Sequence, residues 1–204
     1  MSVAEERIEA VESRIAMNDF ETAVAFDTDG NIVFERESGA RNVPYAHEEF
    51  LKLKGCIITH NHAFNMDWKY FGMKNTSALS SDDIWIAYKY GIIETRMVIG
   101  NERHSFRWDN PNEVKARNFV YELHLLEEET NAVTKLLKKK AENAIAIAKE
   151  EPTQENDDIM DRLVYEFYKA QEKQANTINE LLENNQHVGY VFRKETNYEK
   201  SSPF

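Results

Sequence analysis

Cysteine is nearly absent from this chain. Cys56 is the only one in 204 residues, so no intramolecular disulfide framework is available. Long apolar runs are also missing. None reaches the roughly 18 residues that would mark a membrane-spanning helix, which excludes a transmembrane protein of that kind. The N-terminal stretch MSVAEERIEAVESRI has neither a basic n-region nor an apolar h-region, so a secretory leader is not expected. Together these absences point to a reducing, cytoplasmic setting. Positive charge is scarce too: 25 basic against 36 acidic residues give a net charge of −11. Such a chain repels phosphate backbones, which argues against a general nucleic-acid binder. The run Lys138-Lys139-Lys140 does not alter this, because it sits in a charged helical pattern and reads as a solvated helix face.

Apolar content is ample. At 42% hydrophobic and 11% aromatic residues, the chain can build one domain, or one domain with a large helical extension. Residues 3–17 read as an amphipathic helix, with Ile8, Val11 and Ile15 at helical spacing. Residues 21–26 and 31–36 read as two strands around Asp27-Thr28-Asp29-Gly30, a hairpin turn. Residues 39–43 read as a loop and 47–53 as a short helix. The β-branched run 55–59 reads as a buried strand ending at His60. Residues 63–79 form a long connection carrying Phe64, Met66, Trp68, Tyr70, Phe71 and Met73. Ser80 opens a helix to about Tyr90, and 92–99 and 104–108 are two more strands, with Asn101-Glu102 as their turn. At Asp109-Asn110-Pro111-Asn112 a helix start is expected. Two long helices follow, broken at Glu151-Pro152-Thr153. Their stripes are Phe119, Leu123, Leu126, Val133, Leu137, Ala141, Ile145 and Ala148, then Ile159, Leu163, Phe167, Ala170, Ile178 and Leu181. Residues 188–193 form a last strand able to return to the sheet, and Lys194 to Phe204 a polar, frayed tail. The expected fold class is α/β: a mixed β-sheet flanked by helices over 1–108, a helical hairpin over 109–185, and a return strand and tail over 186–204.

The chemistry concentrates at Thr59-His60-Asn61-His62. Two histidines one residue apart at a strand end project to the same side and form a ready pair of nitrogen ligands. The bland alternative puts one histidine in the core and the other in solvent. A carboxylate from a nearby element would complete the three protein ligands of an open zinc site. Ser80-x-x-Asp83 offers one, and it is also close to a capping box, which needs no chemistry. Both hold if the capped helix start fixes Asp83 beside the histidines. Asp82 is the neighbour able to replace it, and Asp67 a fallback. Glu21, at a strand start, is either an exposed strand-end acid or a general base taking a proton from water acidified by the metal. Cys56 reads as a small buried hydrophobe. His47, His104, His124 and His187 lack ligand-like spacing.

An upstream Glu, then His-x-His, then Ser-x-x-Asp resembles the motif order of the JAMM/MPN-type zinc metalloproteases and their RadC-like bacterial relatives. Thr59-His60-Asn61-His62 and Leu79-Ser80-Ser81-Asp82-Asp83-Ile84 carry the resemblance, which covers about residues 19–108. It extends to JAMM-like domains of phage-encoded proteins, some associated with heads or virions. The resemblance implies a JAMM/cytidine-deaminase-like sheet, Zn2+ held by His60, His62 and Asp83, Glu21 as general acid/base, and Ser80 as donor to the oxyanion. The implied reaction is hydrolysis of a peptide or isopeptide bond. The chain departs from the family at Ala63, where proline usually follows the second His, and in the length of the 63–79 spacer.

Two functions are therefore expected as alternatives. One is a zinc-dependent metallopeptidase or isopeptidase acting on a protein or peptide, in the cytoplasm or, if phage-encoded, in the host cytoplasm or virion. The other is a non-catalytic phage or host interaction protein on the same scaffold, acting through its acidic surface and helical hairpin, with homo-oligomerisation through that hairpin. Neither needs a membrane or nucleic acid. A nuclease, prompted by the letters His-Asn-His, is disfavoured by the charge.

Overall fold

The computed structural model describes residues 2–38, 47–63 and 77–196. In chain order these form α1 (Val3–Ile15), β1 (Thr22–Phe26), β2 (Ile32–Glu37), α2 (His47–Lys52), β3 (Ile57–Asn61), α3 (Ser81–Tyr90), β4 (Glu94–Ile99), β5 (Glu102–Trp108), α4 (Glu113–Glu150), α5 (Gln154–Asn184) and β6 (Tyr190–Thr196), with a short 3-10 turn at Gln186–Val188. The six strands make one mixed sheet in the order β2-β1-β3-β4-β5-β6. Only β3 and β4 are parallel, and α3 is their crossover. The coarse α/β expectation thus holds: a mixed sheet, flanking helices and two long C-terminal helices.

Strand β1, Thr-Ala-Val-Ala-Phe, is buried along its whole length because both faces of the sheet are covered. On one face α1 packs Ile8 against Val24 and Phe26, and Ile15 against Val98. On the other, Ala25, Ile58 and Ile92 meet Leu53, just past α2, and Ala87 of α3. The largest cluster lies on this second face. There Met97, Ile99, Phe106, Tyr190 and Phe192 of the sheet meet Leu79, Ile84, Phe119, Leu123, Ile178 and Leu182. Leu123 and Leu182 are fully buried, each a contribution of about 1.5–3 kcal/mol. The core is therefore continuous across residue 109, and the near ends of α4 and α5 are part of it. Among the described residues, their far ends pack on each other, through Ala141, Phe167 and Tyr168.

The β1–β2 turn uses the expected chemistry. The Asp27 side chain accepts the Asp29 and Asn31 N–H groups at 2.9 Å each, and Gly30 takes φ 77. A Cβ on Gly30 would stand 2.7 Å from the Ala4 carbonyl oxygen, so the turn fits against α1 only with glycine.

Several boundaries differ from the sequence reading. Strand β3 ends at the histidines as expected, but it spans Ile57–Asn61 and so lies two residues later than the 55–59 run. The β4–β5 turn is Gly100-Asn101, one residue earlier than expected, because Ile99 pairs directly with Glu102. The cap of α4 is Asn112, whose Oδ1 accepts Val114 N–H at 3.1 Å and Lys115 N–H at 3.2 Å. Pro111 therefore lies before the cap, in a turn where Asn110 takes φ 54. Val133 is 56% exposed, and Thr134 takes the inward position instead, since its hydroxyl reaches Gln174 of α5 at 3.2 Å. Residues 194–196 belong to β6 rather than to a frayed tail. The 39–43 loop, Asp67, the aromatic and methionine residues of the 63–79 connection, and 197–204 lie outside the described residues.

Candidate metal centre

Parallel β3 and β4 bring the C-terminal end of β3 beside the N-terminus of α3, the crossover end where open α/β sheets bind ligands. His60 pairs with Ala23 of β1 and Met97 of β4. It projects to the face that α3 covers. His62 lies just past the strand, and its backbone N–H donates to Val98 O at 3.2 Å, so the alternation persists and both imidazoles share a side. Their Nε2 atoms are 3.3 Å apart. The Asp83 Oδ1 is 3.8 Å from His60 Nε2. One ligand atom from each of the three residues lies within 4.8 Å of the other two, and among the described residues this is the one such group of His, Cys, Asp and Glu.

The spacing fits a metal. Two nitrogens bound at about 2.0–2.1 Å to a tetrahedral zinc stand about 3.4 Å apart. The donor set, two imidazoles and one carboxylate, is that of an open zinc site with a fourth position left for water. The His60 and Asp83 side chains are 13% and 25% exposed, so the cluster is sheltered without being sealed.

Two of the three side chains, Asp83 and His62, are held by partners of their own. Ser80 caps α3, and the reciprocal capping box is complete: the Asp83 N–H donates to Ser80 Oγ at 3.2 Å, and Asp83 Oδ2 accepts Ser80 N–H at 2.8 Å and Ser80 Oγ–H at 2.7 Å. The cap thus consumes Oδ2 and leaves Oδ1 facing His60. The helix-start reading and the ligand reading of Ser80-x-x-Asp83 are one arrangement. Asp82 is exposed and is not one of the clustered residues. The His62 Nδ1 is in hydrogen-bond contact with Ser77 Oγ. With Nδ1–H donating there, the Nε2 lone pair faces the cluster, the outer-shell partnership usual for ligating histidines.

Electrostatics agree with a cation site. Burial holds the His62 pKa down to about 3, with the His60 charge adding to the effect, so its imidazole is neutral at any physiological pH. Burial alone would raise the Asp83 carboxyl. The opposing pull of His60 and the Ser80 hydrogen bonds outweighs it and keeps the carboxyl below its ordinary 3.8. His62 and Asp83 are therefore held in the protonation states that metal binding needs.

Glu21 lies two residues before Ala23 and so shares the face on which His60 projects. It is not one of the three clustered ligands. Its segment is fixed by Asn61, which stands between the two histidines in sequence but points to the other face and is fully buried. Asn61 Oδ1 accepts Thr22 N–H at 2.7 Å, and Nδ2 donates to Phe20 O at 2.8 Å. The backbone on both sides of Glu21 is thereby tied to the strand that carries the ligands. Cys56 is buried and free, and burial raises its thiol pKa, as expected of a small core residue. His104 is buried beside Glu102 at 3.4 Å, and His124 sits on the exposed face of α4.

Sequence reasoning missed Ser77, Asn61's clamp, Glu127 and Asn179. The Ser81 N–H donates to Glu127 Oε1 at 2.7 Å and its hydroxyl to Oε2, while Asn179 Nδ2 donates to Ser77 O at 3.1 Å. A buried Asn on an apolar helix stripe is the one signal in the sequence that marks such a residue. No family model matches the chain and no curated protein or solved structure is significantly similar to it, so what the site does has to be argued from its own geometry.

Proposed function

We propose that this chain is a zinc-dependent hydrolase of the peptidase or isopeptidase type, with His60, His62 and Asp83 as metal ligands. The observation that carries the reading is the convergence of two Nε2 atoms 3.3 Å apart with a carboxylate already oriented by its own helix cap. A bound zinc would supply Lewis acidity toward a carbonyl and lower the pKa of water toward neutrality. Glu21 is the base in this scheme. It takes the proton from the attacking water at its carboxylate and passes it to the leaving amine. Ser80 orients Asp83, and it can donate to the oxyanion only by giving up its hydrogen bond to Asp83 Oδ2. The resemblance to JAMM-like proteins supports both the class of bond and the choice of zinc, since two imidazoles and a carboxylate with an open position suit iron(II) as well.

The test is elemental analysis of protein purified without chelator. About one zinc per chain is expected, falling to background in His60→Ala and His62→Ala. Glu21→Ala should keep the zinc and lose hydrolysis of isopeptide-linked and linear peptide substrates. A folded protein that takes up no zinc at micromolar metal overturns the reading.

A second reading has its own observation. Val114, Tyr121, Leu125, Leu136 and Ile147 are exposed along α4, and a groove of about 260 Å³ lies between the far ends of the helices, lined by Ala144, Ile147, Ile159 and Leu163 among others. On this reading the chain is a non-catalytic interaction protein working through the hairpin, with a protein partner or a second copy. Leu136→Asp, a surface change, would then abolish the biological effect while His60→Ala left it intact.

A further inference from the structure

The three proposed ligands come from two segments, the end of β3 and the stretch 77–83, and both long helices grip the second, which carries Asp83 and the Ser77 hydroxyl that meets His62. Asn179 of α5 is 4% exposed. Its Nδ2 holds the carbonyl of Ser77, whose hydroxyl in turn meets His62 Nδ1. Glu127 of α4 takes both the N–H and the hydroxyl of Ser81, the first residue of α3 and two residues before Asp83. These are contacts across 102 and 46 residues of sequence, so they exist only because the hairpin docks here.

The two helices are also tied to one another just beyond these grips. Gln174 Nε2 donates to Asn131 Oδ1 at 3.0 Å, and Gln174 Oε1 accepts the Thr134 hydroxyl at 3.2 Å. Asn131 is one turn past Glu127, and Gln174 a little over one turn before Asn179. This polar rung fixes the register of α4 on α5. A slide of one helix along the other would therefore pull Ser77, the partner of His62, away from Ser81 and Asp83.

We propose that the hairpin is a working part of the metal centre: Glu127 and Asn179 are positioning residues that hold Ser77 and Asp83 against His62, and occupancy of the site is coupled to the register of α4 on α5 at the Asn131–Gln174–Thr134 rung. The inference rests on the metal reading above. The coupling runs both ways, since whatever the hairpin does to metal affinity, metal binding must do to the hairpin. It also gives a use to helices that the ligand motif alone does not require. A partner gripping the hairpin would be felt at the ligands, and zinc would stiffen the surface that a partner meets.

The experiment is zinc affinity by competition with a chromophoric chelator on the full chain, together with the visible spectrum of the cobalt-substituted protein. Asn179→Ala, Ser77→Ala and Glu127→Gln should each weaken zinc about tenfold or more and alter the cobalt bands, as outer-shell losses do. Ser77→Thr keeps the hydroxyl and should restore parental affinity. Phe167→Ala, in the distal cluster of the hairpin, is the stability control: it lowers the unfolding midpoint and leaves affinity and spectrum unchanged. Parental zinc binding with Asn179→Ala and Glu127→Gln both within twofold of it overturns the inference alone. So does a Phe167→Ala loss as large as theirs, because affinity would then only follow stability. A parent that binds no zinc brings down the metal reading and the inference with it. Glu127→Gln, a conservative change at a half-buried side chain, keeps the test available if Asn179→Ala fails to fold.

Discussion

Asn61 shows how one side chain can serve a site it does not enter. Its amide replaces backbone pairing where β1 begins, satisfying the Thr22 N–H and the Phe20 carbonyl at once. Both groups are left without those partners in Asn61→Ala, and an unsatisfied buried polar group costs about 1–3 kcal/mol. We expect Asn61→Ala to lose about 2–4 kcal/mol in urea unfolding. Zinc content should stay near one per chain, because the cap on Asp83 and the Ser77 contact to His62 are untouched. Under the proposed hydrolase reading, hydrolysis should fall further than zinc affinity, since the change loosens the segment that carries Glu21. Equal losses in both would mean that Asn61 supports the ligands rather than the base. The identity of the middle residue in His-Asn-His was readable in the sequence, but its partners were not. Phe20 and Thr22 are some forty residues away, and no local pattern announces a side chain that caps a strand.

At the scale of elements, α1 is held to the sheet by charge as well as by Ile8 and Ile15. Arg96 of β4 is 6% exposed and bonds Glu5 at 2.8 Å and Glu94 at 2.7 Å, with Glu12 at 3.6 Å. Arg103 of β5 bonds Glu5 at 3.1 Å, Glu12 at 3.3 Å and Glu195 at 2.7 Å. Glu12 is fully buried, and removing one partner from such a pair costs about 3–5 kcal/mol because the other charge stays behind. Arg96→Met is therefore expected to be strongly destabilising. Arg96→Met combined with Glu12→Leu should recover most of the loss, measured as a coupling energy in a double-mutant cycle. The Glu5 carboxyl adds a pH signature. Burial pushes its pKa up, but the Arg96 hydrogen bond and the charges of Arg96 and Arg103 outweigh this and hold it below 4.5. A lowered folded-state pKa contributes stability that is present above the unfolded value and is lost as pH falls through the folded one. Acid unfolding below about pH 4.5 should accordingly be shallower in Arg96→Met than in the parent. The elements themselves were largely legible, because apolar periodicity and turn residues are local. Ser80 with Asp83, Asp27 to Gly30 and most of the two long stripes read correctly, Val133 and Ile159 being exposed instead. Glu12 did not, since an acid on an apolar helix face looks like a solvated residue until Arg96 and Arg103 arrive from strands about ninety residues away.

For the whole molecule the question is how much of the hairpin the site needs. Helix α4 is 38 residues long, about 57 Å at 1.5 Å per residue, and only its first third packs on the sheet. Thr134 opposite Gln174 and Ala141 beside Phe167 show the two helices running antiparallel in steady register. Leu137 and Gln171 therefore lie nearly opposite, and a short loop of about 2–5 residues is able to join them, as in other αα-hairpins. Replacing 138–170 by such a loop removes Ala141, Ala144, Ala148, Phe167 and Tyr168. It keeps Glu127, Asn179 and the Asn131–Gln174–Thr134 rung. The trimmed protein should fold, since the large cluster around Phe106, Leu123 and Leu182 is untouched, and should bind zinc within about twofold of the parent. It should also have lost the far groove between Ala144 and Leu163, so any partner held there would no longer bind. Circular dichroism and the chelator competition check both halves of this expectation. A trimmed chain that stays folded but binds zinc tenfold more weakly would mean that the far ends of α4 and α5, and not only the grips at Glu127 and Asn179, set the geometry of the ligands.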